Sequence, residues 1–306
     1  MAIRIYTDAS SNLFKSILEK KGYEEITVLP MALKIDDKEY LCYDDNIDVE
    51  AMSKDFYEEM KNGARPKTSL TNPGLFLEKC KEEIAKGNQV IYITLASGIS
   101  GTYQSAVLMA EEANKEAGKE MVKIIDSKTA GLGEGRIVMK AADFVKEGLS
   151  LEEVVSKVED YVKTVRSEFT VDSIKYLANT GRVSNIKALI AGVLSIKPLF
   201  YGSDEAKIEV TGKVHGRKNA LKKLAEQVNE NIVNKLQTVY ISHCNCLEEA
   251  KGFEVLLHNF GINNTEIYFY DLVTGAHVGP GTIAVFYEGK NRTIEHKSIV
   301  STILGR

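Results

Sequence analysis

Short apolar runs alternate with amphipathic stretches of ten or more residues through the first half of the chain, and this alternation restricts the fold more than any other feature. "IRIYTD", "QVIYITL" and "MVKIID" read as strands. "NLFKSILEKKG", "NPGLFLEKCKEEIAKG", "TYQSAVLMAEEANKEAG" and "EGRIVMKAADFVKEG" carry apolar residues at helical spacing. Strands joined through helices of that length pair in parallel, because a hairpin needs only a tight turn and a crossover needs about a dozen residues. The first half is therefore expected to be a doubly wound α/β unit, with ligands outside the carboxyl ends of its strands. "ITVLPMALKIDDKEYL" is expected to be extended chain turning at Asp36 and Asp37, and "DVEAMSKDFYEEMKNG" a helix capped by an Asp and closed by Gly63.

From about Glu168 the texture changes. "FTVDSIKYL", "SIKPLFYGS", "KIEVTGKVHG", "TVYISH", "EIYFYD" and "TIAVFYEG" read as strands, some separated only by turn residues, with "RKNALKKLAEQVNENIV" and "LEEAKGFEVLLHNFG" as helices. This pattern predicts a second, mixed-sheet α+β domain. The helix "SLEEVVSKVEDYVKTV" bridges the two, giving an N-terminal α/β domain over 1–164, a C-terminal mixed α/β domain over 165–290 and an unassigned tail over 291–306.

The chain is 44% hydrophobic, enough for a sizeable core, and its net charge of -4 comes from nearly balanced acids and bases. No Lys/Arg block of five or more occurs, which argues against a general binder of nucleic acid or anionic membrane. The longest apolar stretch, "IKALIAGVLSIKPLF", is interrupted by lysine and shorter than the roughly 20 residues of a membrane span. "MAIRIYTD" lacks the apolar region of a signal peptide, so a cytoplasmic protein is expected, with Cys42, Cys80, Cys244 and Cys246 as thiols. His243 beside "CNC" has no second ligand pair at zinc spacing and reads as an ordinary strand end.

Candidate chemistry lies in hydroxyl-rich loops. "TLASGISGTYQSA", Thr94 to Ala106, holds three serines, two threonines and two glycines between a strand and a helix expected to start near Thr102. Gly98 and Gly101 let a ligand approach the backbone, while Ser97, Ser100 and Thr102 supply donors beside a helix N-terminus that favours an anion. The same hydroxyls equally suit a helix cap. "KTSLTNPG" repeats the theme with Thr68, Ser69 and Thr71 ahead of a helix beginning at Pro73. Arg182 in "NTGR" and Arg217 in "HGRK" each follow a glycine, and His277 in "GAHVGPG" reads as a loop residue just before a strand.

Three cofactor or catalytic patterns are not met. "GLGEG" after "KIIDSKTA" has Arg136 where a dinucleotide fingerprint needs a glycine, so neither nicotinamide nor flavin is expected. No P-loop motif occurs. "LASGISG" lacks the glycine two residues before the serine of a nucleophile elbow. A serine-dependent esterase or acyl-transfer enzyme built from Ser97 or Ser100 with His277 on another geometry stays open, as does a small-anion or nucleotide sensor using the glycine loops.

Taken together, "IYTDASSNL", "KTSLTNPG", "TLASGISGTYQSA", "IIDSKTAGLGEG", "KYLANTGRVSNIKALIAGVLSIKPL", "TGKVHGRKNAL" and "AHVGPGTIAVFY" resemble the DegV family, which includes the fatty acid-binding subunits of bacterial fatty acid kinase. Ala9, Asn12 and Ala96 depart from the family's usual hydroxyl, acid and serine. The resemblance implies two domains with a lipid pocket between them and no cofactor. It implies a long-chain fatty acid carboxylate held by Thr68, Ser69, Ser97 and Ser100, with Gly98 leaving room. Arg182 and His277 would lie near the head group. Arg217 and Lys218 would form the docking face for a kinase subunit that makes an acyl phosphate for phospholipid synthesis, so that the chain itself is a carrier and not an enzyme. Apolar walls are expected from "IKALIAGVLSIKPLF" and "VLPMAL".

Overall fold

The computed structural model describes residues 2–35, 38–43, 49–183 and 195–293. The N-terminal half contains β1 (Ile3–Asp8), α1 (Lys15–Lys21), β2 (Thr27–Leu29), β3 (Met31–Ile35), β4 (Lys38–Cys42), α2 (Val49–Lys61), β5 (Lys67–Thr68), α3 (Pro73–Ala85), β6 (Gln89–Thr94), α4 (Thr102–Ala117), β7 (Val122–Asp126), α5 (Leu132–Lys146) and α6 (Leu151–Val162). Four of these strands form a parallel sheet in the order β2-β1-β6-β7. Period-two alternation divides them between two layers. Tyr6, Val90, Tyr92 and Val122 pack with Phe76 and Cys80 of α3 and with Ala106, Ala110 and Ala113 of α4. Ile5, Ile91, Ile93 and Ile125 face the other way, toward Ile137, Val138 and Ala141 of α5. Helices thus cover both faces, and the sheet is doubly wound.

The second half adds β8 (Val165–Thr170), α7 (Lys175–Thr180), β9 (Ile196–Gly202), β10 (Ile208–His215), α8 (Arg217–Asn231), β11 (Val239–His243), α9 (Leu247–His258), β12 (Thr265–Phe269), α10 (Leu272–Val278) and β13 (Ile283–Glu288). They build a six-stranded mixed sheet, β10-β9-β8-β13-β11-β12, in which only β11 and β12 run parallel. Leu221, Leu224 and Val228 of α8 and Phe253 and Leu257 of α9 close one face over Val239, Ile241, Ile283 and Val285. The opposite face meets α5, which touches β1 and β6 on one side and β8 and β13 on the other. A third, small sheet, β4-β3-β5, is antiparallel.

Local signals account for several boundaries. Gly22 and Gly118 end α1 and α4 in left-handed conformation. Ser150 and Glu153 form a reciprocal capping box at the start of α6. Asn72 accepts from Gly74 N and Leu75 N at 2.9 and 3.3 Å, with Pro73 at the first helical position of α3.

Two expectations are corrected. "FTVDSIKYL" is not one strand: β8 ends at Thr170 and α7 begins at Lys175, with the chain bending at Asp172 and turning at Ile174 between them. His277 is not a loop residue: it lies in the last turn of α10, before Gly279. The expected turn at Asp36 and Asp37, the Asp48 cap and residues 186–194 of the expected apolar wall lie outside the described residues. Among the described residues no helix is long and apolar enough to cross a membrane.

Candidate functional site

Thr68 ends β5, which is held in register by β3 through the pairs Leu33–Thr68 and Lys34–Lys67. Helix α10 reaches β5 from the second half of the chain, and there Thr68 Oγ1 lies 2.8 Å from His277 Nε2. Burial pushes the imidazole pKa down to about 4, with the Arg182 charge acting in the same direction. His277 is therefore neutral near pH 7. Its Nδ1 is buried and has no hydrogen-bond partner among the described residues. Arg182 itself is exposed, with its Nη1 donating to Thr180 O at 2.6 Å. The structure thus brings together Thr68, His277 and the charge of Arg182 from three separate stretches of sequence.

The other hydroxyls have local partners. Ser69 is exposed; its Oγ accepts from Ala32 N at 3.1 Å and donates to Leu70 O at 3.0 Å, tying β5 to β3. Ser100 Oγ accepts from Thr102 N at 3.2 Å and lies 3.0 Å from Thr102 Oγ1, so it starts α4. Ser97 is half-buried and gives its N–H to Asp126 Oδ1 at 3.1 Å. Gly98 makes room for protein: a Cβ there would overlap the Ala206 carbonyl oxygen in the turn between β9 and β10. The two hydroxyl loops do approach each other, since a Cβ on Gly101 would stand 3.6 Å from Leu70 Cδ2.

Arg217 opens α8 and is only 16% exposed. Its Nε pairs with Glu249 Oε2 of α9 at 2.6 Å and its Nη2 donates to Gly281 O. The guanidinium fastens two helices to the loop before β13, while Lys218 beside it is exposed. His243 accepts from Cys246 N on Nδ1 at 3.3 Å, which closes the "CNC" turn, and its ring packs tilted against Phe269 with centroids 4.5 Å apart.

The family profile described as "Uncharacterised protein, DegV family" matches residues 2–290. The chain belongs to the DegV family. A DegV domain-containing protein of Clostridium perfringens is 35% identical over 290 residues, covering 94% of this chain and 98% of the relative. Among solved structures, a fatty acid binding DegV family protein from Streptococcus agalactiae superposes with a TM-score of 0.82 at 27% identity, over 95% of this chain and 100% of its own. DegV from Bacillus subtilis, described as a fatty acid binding protein, gives 0.78 at 28% identity over 95% and 100%. A DegV family protein from Ruminococcus gnavus, refined with vaccenic acid, gives 0.80 at 27% identity over 94% and 99%.

The DegV chain also contains polar groups that sequence reading missed. Strand order reverses between β1 and β6, the crevice where doubly wound sheets commonly bind ligands. Here Asp8 fills it, accepting from Leu95 N at 3.1 Å and from Ser10 N at 3.0 Å. Ser10 Oγ lies 2.5 Å from Asp8 Oδ1 and 3.0 Å from Glu134 Oε2, all three residues being fully buried. Burial raises both carboxyl pKa values, and the Asp8 charge pushes Glu134 further. At the neighbouring edge Asp126 Oδ1 takes the N–H groups of Ser97 and Lys128, at 3.1 and 2.9 Å. The donors predicted to hold an anion are thus partly occupied by the DegV chain's own carboxylates. The acid in "TDASS" was the available signal, because an aspartate at a strand's carboxyl end beside small residues is placed to accept backbone N–H groups.

Proposed function

We propose that the protein binds a long-chain fatty acid and presents its carboxylate to a separate kinase. The Thr68–His277 pair carries this reading, because its hydrogen bonding is incomplete in either tautomer. If Thr68 donates to Nε2, the N–H on Nδ1 is left over. If Nε2–H donates to Thr68, the threonine proton is left over. A carboxylate oxygen satisfies either one, with Ser97 as a further donor and Arg182 offsetting the negative charge. Ser69 and Ser100 support the frame around this pair, and Gly98 seats the β9–β10 turn.

Affinity then comes mainly from the tail, at about 0.8 kcal/mol per buried methylene, so that a dozen contribute roughly 10 kcal/mol before ordering entropy is subtracted. The head group selects the acid and orients it. The fatty acid binding described for the Streptococcus agalactiae and Bacillus subtilis neighbours supports a fatty acid as the ligand class. In this reading the chain is a carrier: the kinase performs phosphoryl transfer, and the acyl phosphate feeds phospholipid synthesis. The division into domains 1–164 and 165–290 belongs to the same proposal, with the lipid between them. Lys218 and Arg217 mark the docking face, Lys218 as its accessible charge.

Organic extraction of the purified protein followed by mass spectrometry tests the ligand. Near-stoichiometric fatty acid is expected, and His277→Ala should weaken its binding by roughly tenfold or more, as for a lost hydrogen bond to a charged group. An empty protein with esterase activity that disappears in Ser97→Ala would overturn the carrier in favour of the hydrolase. For docking, Lys218→Glu should reduce capture of the kinase in a pull-down, and undiminished capture would remove this face from the proposal.

A further inference from the structure

Two tyrosines grip the helix that carries His277. Tyr57 of α2 is fully buried and directs its hydroxyl to Tyr270 O at 2.9 Å and Asp271 O at 3.3 Å, the carbonyls at the entry to α10. A Cβ on Gly275 would overlap that hydroxyl, so the glycine is the seat into which Tyr57 fits. At the other end of α10, a Cβ on Gly279 would overlap the ring of Tyr176 from α7. Tyr176 in turn donates its hydroxyl to Met60 O of α2 at 3.2 Å. Helix α2 therefore holds α10 at both ends, and His277 lies midway, two residues from each seat.

A histidine ring is usually aimed by the hydrogen bond its second nitrogen makes to the protein. His277 Nδ1 makes none among the described residues, so its aim rests on the Nε2 contact with Thr68 and on where α10 sits. We propose that Tyr57 and Tyr176 are positioning residues of the head-group site. By filling the seats at Gly275 and Gly279 and tethering those rings through their hydroxyls, they set the rotation and height of α10, and with it the reach of His277 toward a carboxylate. They are thereby specificity determinants that favour a fatty acid over a neutral lipid of equal length. The inference rests on the fatty acid reading given above.

Tyr57→Phe and Tyr176→Phe keep the rings in place and remove the hydroxyl tethers. The measurements are the Kd of an 18-carbon fatty acid, the Kd of the matching fatty alcohol, and the imidazole nitrogen NMR shifts of His277 in delipidated protein. Each variant should weaken the acid by roughly tenfold while leaving the alcohol within about twofold, the difference expected when an aimed hydrogen bond is lost and the tail contacts stay. Each should also shift the His277 signals without any ligand. Equal weakening of acid and alcohol means a purely structural role and overturns the proposal, as do unmoved His277 signals. If wild-type protein binds neither lipid, the fatty acid reading fails by itself, and the ligand-free shifts still decide whether the tyrosines aim the histidine.

Discussion

At the residue scale, Ser10 is the most informative group outside the Thr68–His277 pair. One hydroxyl proton cannot serve both Asp8 and Glu134, so two adjacent carboxylates in this buried setting must share an additional proton. Among the described residues Asp8 has backbone donors and Glu134 has none, which places that proton on Glu134. Glu134→Gln should therefore change stability at pH 7 by less than about 1 kcal/mol, whereas Asp8→Asn, which turns an amide donor toward backbone N–H groups, should cost about 2 kcal/mol or more by urea denaturation. Asp271, the cap of α10, is a third buried acid, pushed up to about 8 by burial and by the Asp8 charge. Its folded pKa lies above its unfolded value of about 4, so its stabilisation is complete below pH 4 and is lost as pH rises toward 8. Wild-type stability should fall across that window relative to Asp271→Asn, by up to about 1.4 kcal/mol per pH unit, in denaturation series at pH 5 and pH 8. Single residues were only partly legible. Composition drew attention to Thr68 and His277, yet a hydroxyl's partner is chosen by approach in space, which is why Ser69 and Ser100 looked equivalent to Thr68.

At the element scale, the strand and helix pattern was readable wherever periodicity was strong. The parallel sheet and its crossover helices follow from apolar runs of contrasting period, and the start of α3 follows from Asn72 and Pro73. The short helix α7 was not readable, because six residues give too little periodicity to outweigh the apolar run before them. The glycines of "GLGEG" also had a meaning that needed the fold: a Cβ on Gly135 would stand 2.5 Å from Ser11 O, so they let α5 sit close to the chain around it. Arg292, from the tail left unassigned, is 3% exposed and joins several elements by donating to Val162 O, Gly202 O and Ser203 O at 2.7, 2.9 and 3.3 Å. Arg292→Ala strands these carbonyls in the interior and should destabilise the protein by about 3 kcal/mol, seen as a lower urea midpoint with an unchanged slope.

At the scale of the whole molecule, α5 lies between two sheets, so one apolar cluster runs from the parallel sheet into the mixed sheet. The candidate site draws Thr68 from one half of the chain and His277 from the other. A ligand that binds there stabilises the folded state of both halves by mass action. Adding fatty acid at 100 times its Kd to delipidated protein should contribute about 2.7 kcal/mol and raise Tm by several degrees in a thermal scan, and His277→Ala should blunt the shift. That the chain has two architectures was legible in the change of texture near Glu168. That one helix would join them was not, since nothing in the run "RIVMKAADFVK" says that both of its faces are covered.

The carboxylates of Asp8 and Asp126 at the edge of the parallel sheet bear on how the protein fares in a mixture. A glycine-rich crevice beside helix N-termini is where nucleotides and inorganic phosphate ordinarily bind. Here they would meet buried carboxylate side chains and N–H donors already engaged. The crevice thus keeps the outline of a phosphate receptor with part of its donor set already taken by the chain's own acids.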